Sequence, residues 1–356
     1  MGYIFGDVHT GAITSELTSL YGVSLNNRFG GGEFRGTLQL DQTGQDNETL
    51  VSATSPGRSY VIAERNGVPI WGGIIRSRTY QSQSKTVQLF ANTFDKYPEY
   101  RLVLTDFLAV DEDQISIFLN LYAQMQAVPN SVLVNLSSAF SSGITKSLEV
   151  FADEYKIYDN VLRSLSDADD GFDWTVRVRR QDGVYIKDLL IGAPTLGAAN
   201  HDNIIFEYPG NILNYWKNET MSKSATSFYG IGAGEGSSMI TSQYIHTDLL
   251  SSGFPLYEQT ISYKDIEDEG RFNSIIASDA ISGKPPKPIF TVECKANIEP
   301  VFGAYTIGDA CTLIIKDPRH PNTLRHKTRI LAFEYYPPSS ERTEEVRLTF
   351  EGDEGQ

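Results

Sequence analysis

The first hundred residues show an alternation of apolar and polar positions with a period of two. Short alternating runs are separated by Gly, Asn and Pro clusters; they read FRGTLQL, SYVIAE, IIRSRTY and KTVQLFA. This pattern is typical of β-strands joined by turns. The pair Asn66-Gly67 favours the positive φ angles of a tight hairpin turn, so residues 60–65 and 69–79 are predicted to be antiparallel neighbours. We therefore predict a β domain over residues 1–100.

From about residue 101 the apolar positions recur with a period near 3.6. This indicates a helix over Asp111–Gln126, in which Asp111 and Gln114 have the spacing of a capping box. A second helix is predicted over 158–168, where one apolar face contains Val161, Leu162, Leu165 and Ala168.

Two strands follow these helices. The tight-turn pair Asp182-Gly183 predicts a hairpin between 172–180 and 184–191. Residues 101–198 therefore form a predicted α+β module.

From residue 199 the pattern returns to β, with one predicted helix over 266–280 before the Pro285-Pro286 break. The prediction for 199–356 is a second β domain with one inserted helix, and the fold class is α+β, mainly β. Two meanders have similar layouts, one ending in strands 72–80 and 86–91 and the other in 328–336 and 345–350. Either they are unrelated or the same β module occurs twice.

Composition and charge exclude several classes of protein. Apolar residues make up 40% and charged residues 21% of the 356, which is the composition of a packed globular protein. No apolar run is long enough to span a membrane, and the N-terminus lacks a signal-peptide pattern. The net charge of −15 argues against a protein that grips DNA through clustered Lys and Arg. The acidity lies in the last two thirds of the chain, and general solubility is its simplest explanation.

Candidate chemistry is sparse along the chain. The Gly-rich stretch 229–237 (YGIGAGEGS) does not match GxGxxG and is followed by no GKS or GKT, so a hairpin or a close backbone approach is favoured. His320 and His326 lie six residues apart near Asp317 and are expected to be solvated loop residues, since their spacing fits no zinc pattern. His9, His201 and His246 stand alone.

The acidic clusters Asp111-Glu112-Asp113 and 167–173 are interpreted as a helix start and a helix-end turn, because neither has the spacing of a calcium loop. The two cysteines, Cys294 and Cys311, are interpreted as small buried residues, with a disulfide as the alternative. No hydrolase motif is present. We therefore predict a protein that is not an enzyme and has no catalytic, cofactor-binding or metal-ligating residues.

Several segments together resemble the minor tail proteins of siphophages, especially those of phages that infect actinobacteria. The resemblance is carried by HTGAITSELTSLYGVSLNNRFGGGEFRGTLQL, by the hairpin that closes on Trp71-Gly72-Gly73-Ile74, by SFYGIGAGEG and by FGAYTIGDACTLIIKD with Gly308-Asp309. It covers most of the chain.

The resemblance implies a baseplate or tail tip hub, with two tube-like β-barrel domains flanking an α+β insert. Three copies would form a homotrimer with six tube-like domains, which connects a sixfold tail tube to a threefold tip in the virion. The implied partners are the distal tail protein, the tail tube, the tape measure protein and a tail fibre or tip protein. DNA would pass through the lumen during ejection without sequence-specific binding, and an acidic wall would repel its phosphates.

Three other functions compete with the hub. A distal tail protein also has a tube-like β domain but forms a hexameric ring. A receptor-binding or carbohydrate-binding tail module would use exposed Tyr and Trp faces. A peptidoglycan hydrolase is the enzymatic alternative.

Overall fold

The protein is mainly β, with 47% of residues in strands and 17% in helices. The computed structural model describes residues 1–352 except 41–45, 139, 169, 220–223, 265, 267, 283, 285–288 and 340–341. Contacts between residues divide the chain into two compact units. Unit 1 comprises Met1–Tyr215 and Val292–Phe350, and unit 2 consists mainly of Trp216–Thr291. The predicted division into domains 1–100, 101–198 and 199–356 stays a prediction.

The first β module is an antiparallel sheet built from the first seven strands of the chain. These are β1 (Gly2–Asp7), β2 (Ile13–Leu17), β3 (Tyr21–Arg28), β4 (Glu33–Gln39), β5 (Ser59–Arg65), β6 (Val68–Gln81) and β7 (Thr86–Thr93), with helix α1 (Asn47–Ala53) between β4 and β5. Their spatial order is β2-β1-β5-β6-β7-β4-β3. The predicted hairpin at Asn66-Gly67 is confirmed, since φ is 52° and 78° at these residues and β5 pairs antiparallel with β6.

The central module follows and packs against the first β module. After a 3-10 helix (Phe94–Tyr100) it contains β8 (Phe107–Asp113), α2 (Gln114–Gln126), β9 (Thr145–Val150), α3 (Tyr158–Ser166), β10 (Asp173–Gln181) and β11 (Val184–Gly192). Apolar side chains of α2 and α3, including Phe118 and Leu162, share one core with Ile62 and Ile74 of the first module. Both predicted helices and the β10–β11 hairpin are confirmed.

The predicted capping box of α2 is wrong. Asp113, not Asp111, precedes the helix, and its carboxylate accepts a hydrogen bond from the Ile115 amide at 2.9 Å. Asp111 lies at an irregularity of β8 and has a φ of 52°. Because β8 continues to Asp113, directly before the helix, there is no room for an earlier cap. The helix therefore begins three residues later than the sequence pattern indicated.

The rest of the chain contains a second β module with unit 2 inserted into it. The elements are β12 (Ile205–Tyr208), β13 (Ile212–Asn218), β14 (Ser227–Ile231), β15 (Thr241–Ile245), α4 (Thr247–Ser251), β16 (Glu258–Ser262), α5 (Glu269–Ser282), β17 (Ile289–Lys295), β18 (Ala310–Asp317), β19 (His320–Tyr336) and β20 (Glu345–Phe350). Helix α5 confirms the helix predicted over 266–280. In unit 2, strands β15-β14-β16 form a small sheet against which α5 packs. None of the described helices has the length and apolar character needed to cross a membrane.

The two β modules have the same strand order. The second module is ordered β12-β18-β19-β20-β17-β13, and the first, without β2, is ordered β1-β5-β6-β7-β4-β3. If the six strands of each module are numbered by their position along the chain, both modules have the spatial order 1-4-5-6-3-2. One direction differs, because β1 is antiparallel to β5 whereas β12 is parallel to β18.

The register of the modules also corresponds. Both predicted meanders are present, as β5-β6-β7 and β18-β19-β20. The hairpin β6–β7 has a bulge after Ile75, and the hairpin β19–β20 has a bulge after Ile330. In each hairpin five residue pairs then lead to the turn, which places Ser77–Gln81 in correspondence with Ala332–Tyr336. The two modules therefore share the order of six strands and the position of the bulge in the fifth strand.

Candidate assembly surface

The two β modules are joined edge to edge inside one chain. Strand β3 of the first module pairs antiparallel with β19 of the second, and the four pairs run from Arg28 opposite Ala332 to Leu25 opposite Tyr335. Leu25 and Tyr335 are fully buried at this junction. The pairing makes one continuous sheet of the two modules, so the chain contains a complete module-to-module interface.

An ion pair ties the tip of the β5–β6 hairpin to the second module. Arg65 donates to both carboxylate oxygens of Glu344, at 2.7 and 2.9 Å, and also to the carbonyl oxygens of Phe302 and Ala296. Only 11% of the Arg65 side chain and 17% of the Glu344 side chain are exposed. The hydrogen bonds from Arg65 hold the pKa of Glu344 below its ordinary value. Tyr335 donates to the same carboxylate. The pKa of Tyr335 is raised mainly by burial and further by this hydrogen bond.

Aromatic rings fill the space beside this ion pair. Phe302 stacks on Tyr335 with ring centroids 4.7 Å apart and contacts Phe333 edge to face at 5.0 Å. Such pairs stabilise by about 0.5–1.5 kcal/mol beyond the area they bury. The junction therefore combines strand pairing, a bidentate ion pair and an aromatic cluster.

The Trp71-Gly72-Gly73 pattern positions the strands next to this junction. The Trp71 indole donates to the carbonyl of Asn26 at 2.8 Å and so holds β3 in place. A Cβ on Gly72 would lie 2.5 Å from Val178 of β10, and one on Gly73 would lie 2.1 Å from the Asn92 carbonyl oxygen. Both glycines are needed because β6 passes tightly between β7 and the central module.

A cavity of about 520 Å³ lies beside the junction, between the start of β6, strand β10 and residues 302–309. Three arginines of β10 line it, and each is already engaged. Arg179 pairs with Asp188, Arg180 lies 3.8 Å from Glu64, and Arg177 donates to Thr306. Two of these arginines therefore face carboxylates, whereas Arg177 is held by a hydroxyl.

The Gly-rich stretch 229–237 is a hairpin, as the sequence indicated. It leaves β14, turns at Gly234 and Gly236, which have positive φ, and returns in β15. A Cβ on Gly230 would lie 2.5 Å from Ile276 of α5, so glycine is needed for the helix to approach the strand.

The expectation that His320 and His326 are solvated loop residues is wrong. Both belong to β19, and His326 is buried opposite Leu313. Pro321 suggested a loop, but a proline is compatible with the first residues of a strand next to a tight turn. Six residues of a strand span about 20 Å, so the two imidazoles do not converge on one ion. Among the described residues, no group of three or more His, Cys, Asp or Glu side chains is arranged to hold a metal.

The remaining histidines are separate from one another. His9 is exposed. The His201 ring lies 3.1 Å from the Cys311 carbonyl oxygen, and the buried His246 ring lies 2.9 Å from the Ala280 carbonyl oxygen.

The acidic clusters have structural roles. Burial opposes ionisation of Asp113, but bonds from the Ile115 amide and from the hydroxyls of Ser141 and Ser142 outweigh it, and its pKa lies below the ordinary value. In the second cluster, Asp170 pairs with Lys146 at 2.6 Å and Asp173 pairs with Arg329. Asp169 lies outside the described residues. These carboxylates position a helix start and a turn, as the sequence indicated.

Cys294 and Cys311 are buried and unpaired, which favours the interpretation as small core residues over a disulfide. Burial raises the pKa of the Cys294 thiol to about 12 and raises that of Cys311 further. Both thiols are therefore unreactive near neutral pH.

Sequence reasoning missed the Arg65–Glu344 ion pair, whose members are 279 positions apart. The one available signal was an arginine next to the Asn-Gly turn, where a charged residue is ordinarily solvated.

The comparisons with known proteins concern the fold. No family model and no curated protein matches the sequence. Among solved structures, the 43 kDa tail protein of prophage MuSo2 from Shewanella oneidensis matches with a TM-score of 0.64 at 8% identity, over 99% of this chain and 98% of that one. The tail protein from Neisseria meningitidis MC58 matches with a TM-score of 0.60 at 11% identity, over 99% and 97% of the chains.

A structure that is not described as a tail protein shares the fold as well. A chain of the Francisella PdpA–VgrG complex matches with a TM-score of 0.59 at 8% identity, over 99% of this chain and 58% of that one. The chain therefore has the fold of phage tail proteins and of a VgrG-containing complex along nearly its whole length.

Proposed function

We propose that this chain is a structural, non-enzymatic subunit of the tail tip hub of a siphophage. Three copies form a ring at the distal end of the tail tube, and the ring joins the sixfold tube to a threefold tip. The observation that carries the proposal is the presence of two β modules with the same strand order, joined edge to edge in one chain.

Because each chain contains two β modules, a ring of three chains can match both the sixfold tube and the threefold tip. Three chains with two modules each place six similar modules around one axis, and a head-to-tail arrangement closes when the rotation between neighbours is a simple fraction of a turn. In this ring each module is tube-like, and its sheet contributes to the wall of a channel. The full-length likeness to proteins described as phage tail proteins supports this assignment.

The partners follow from this position. The distal tail protein and the tail tube lie above the ring, the tape measure protein lies within, and a fibre or tip protein lies below. The net charge of −15 gives the wall an excess of carboxylates that repels phosphates, so DNA passes without binding. A neutral or basic lumen in the assembled ring would remove this electrostatic role.

The decisive experiment is an image of the tail tip of the phage that encodes this chain, with the chain located by a gold-labelled antibody. We expect label at the tip and a threefold ring containing six modules. A sixfold ring of this chain would identify it as the distal tail protein instead. Label on peripheral fibres, together with glycan binding by the purified protein, would identify a receptor-binding module, and clearing of a peptidoglycan gel would contradict a non-enzymatic role.

A further inference from the structure

We infer that strand β13 of one copy of this chain pairs with the outer half of β6 of a second copy, so that the junction inside the chain is repeated between chains. The inference rests on the proposed ring and specifies the surface by which it closes.

The internal junction defines which strands meet. Strand β3 is the last strand in the order of the first module, and it lies on β19 of the second. The counterpart of β3 is β13, which ends the order of the second module. The counterpart of β19 is β6. Within the chain, the first module lies on the second. If the second module of one copy lies in the same way on the first module of another copy, β13 meets β6.

The bulges fix the residues on β6. Strand β3 pairs with Ala332–Tyr335, the first four residues after the bulge of β19. The corresponding residues after the bulge of β6 are Ser77–Tyr80. On the β5 side, the pairing of β6 stops at Ile74, and no strand in the described part of the chain lies along Ser77–Tyr80 on that side.

Backbone directions show which groups this edge offers. The Thr93 amide donates to the Gly32 carbonyl directly before β4, so the backbone groups of Thr93 point to β4. Successive residues of a strand point to opposite sides, so those of Phe90 and Gln88, three and five positions earlier, point to β6. Their partners Ser77 and Thr79 therefore point to β7. By alternation, the amides of Arg78 and Tyr80 point away from β7, toward the open edge.

A second contact supports the correspondence. In the second module, the segment between the third and fourth strands places Phe302 against Phe333 of β19. In the first module, the equivalent segment contains α1, and Arg78 donates to the Val51 carbonyl and to Thr54 at its end. Phe333 and Arg78 occupy the same position after the bulge.

The two edges also expose apolar side chains. Tyr80 is 58% exposed, and Leu213, near the start of β13, is 42% exposed. An unpaired strand edge with apolar side chains is a template for pairing with another chain. Each copy carries one edge of each kind, so the contact is head to tail, and three copies close the ring.

The inference is tested by photo-crosslinking in assembled particles. A benzophenone amino acid replaces Tyr80, and in a matched control it replaces Tyr155, which is 63% exposed in the central module. After irradiation we expect the Tyr80 probe to give a covalent dimer whose linked peptide contains residues 212–218 of another copy. The Tyr155 probe is expected to give no link to that peptide.

A pair of substitutions tests the backbone bond. Tyr80→Pro removes the outward amide, whereas Tyr80→Ala removes the side chain and keeps the amide. A lost hydrogen bond together with a clash at the edge is expected to weaken each contact about tenfold or more in the proline variant relative to the alanine variant. The measurement is the amount of each variant found in tails after complementation, and a proline variant that unfolds is recognised by the loss of its circular dichroism.

The outcomes separate this inference from the proposed function. A threefold ring in which the Tyr80 probe forms no dimer, or links to any segment other than β13, overturns the pairing and leaves the hub intact. Particles without a ring of this chain at the tail tip overturn the hub itself.

Discussion

Removing either member of the Arg65–Glu344 ion pair should open the junction between the two β modules. Arg65→Met keeps the length of the stem without the charge, and Glu344→Gln keeps the shape without the charge. Removing one partner of a buried pair costs about 3–5 kcal/mol when the other charge remains uncompensated. The pair is partly exposed and Glu344 keeps its bond from Tyr335, so we expect about 2–4 kcal/mol for each variant.

The double variant distinguishes an interaction from two independent effects. The Arg65–Glu344 hydrogen bonds are already absent from each single variant. The loss of stability in the double variant should therefore be smaller than the sum of the losses in the two single variants, with a coupling energy of about 1–3 kcal/mol. The lowered pKa of Glu344 means that the pair stabilises the fold above the unfolded pKa of the carboxylate, and that this contribution disappears as the pH falls through the folded pKa.

The assay is urea denaturation of the four proteins at pH 7 and at pH 4, combined with hydrogen exchange of the β3 and β19 amides. We expect faster exchange at Leu25–Arg28 in both single variants, while the α2 amides remain protected. Strictly additive free energies of unfolding, or unchanged exchange in β3, would refute the assignment of this ion pair to the junction.

Three further predictions concern other residues. Burial raises the pKa of Asp95 to about 6, so its proton is favoured by folding and the contribution of Asp95 to the free energy of unfolding should fall by about 3 kcal/mol as the pH rises from about 4 to 6; the difference in stability between the unsubstituted protein and Asp95→Asn should change by this amount in denaturation at several pH values, and parallel profiles would contradict it. Gly73→Ala should lower the midpoint of thermal unfolding strongly, since its Cβ meets backbone, whereas Gly67→Ala at the open turn should cost only the strain of its positive φ. Asp113→Ala should cost about 1 kcal/mol and Asp111→Ala less, because Asp113 is the helix cap; equal losses in thermal unfolding would argue against this.

The elements predicted best from the sequence are those that local chemistry defines. The turns at Asn66-Gly67 and Asp182-Gly183 have the required positive φ, and the helices α2, α3 and α5 lie where the apolar period placed them. These features depend on neighbours a few residues away, so a single sequence contains enough information to locate them.

The errors arise where tertiary structure overrides a local signal. A strand that continues to Asp113 moved the helix cap away from Asp111, and the long strand β19 absorbed the His320–His326 segment despite its proline. The sequence indicated that two meanders were similar, but it could not show that β3 pairs with β19. That pairing, like the ion pair of Arg65 with Glu344, joins residues from opposite ends of the chain.

The position of unit 2 affects the symmetry that a neighbouring protein would encounter. In the first module, β3 and β4 are joined by the short turn 29–32, whereas the corresponding strands of the second module, β13 and β17, are separated by the whole of unit 2. In the proposed ring of three copies, every alternate module would therefore carry an added domain at this turn. A protein that binds the shared strands can repeat six times, while one that recognises the added domain finds only three equivalent places.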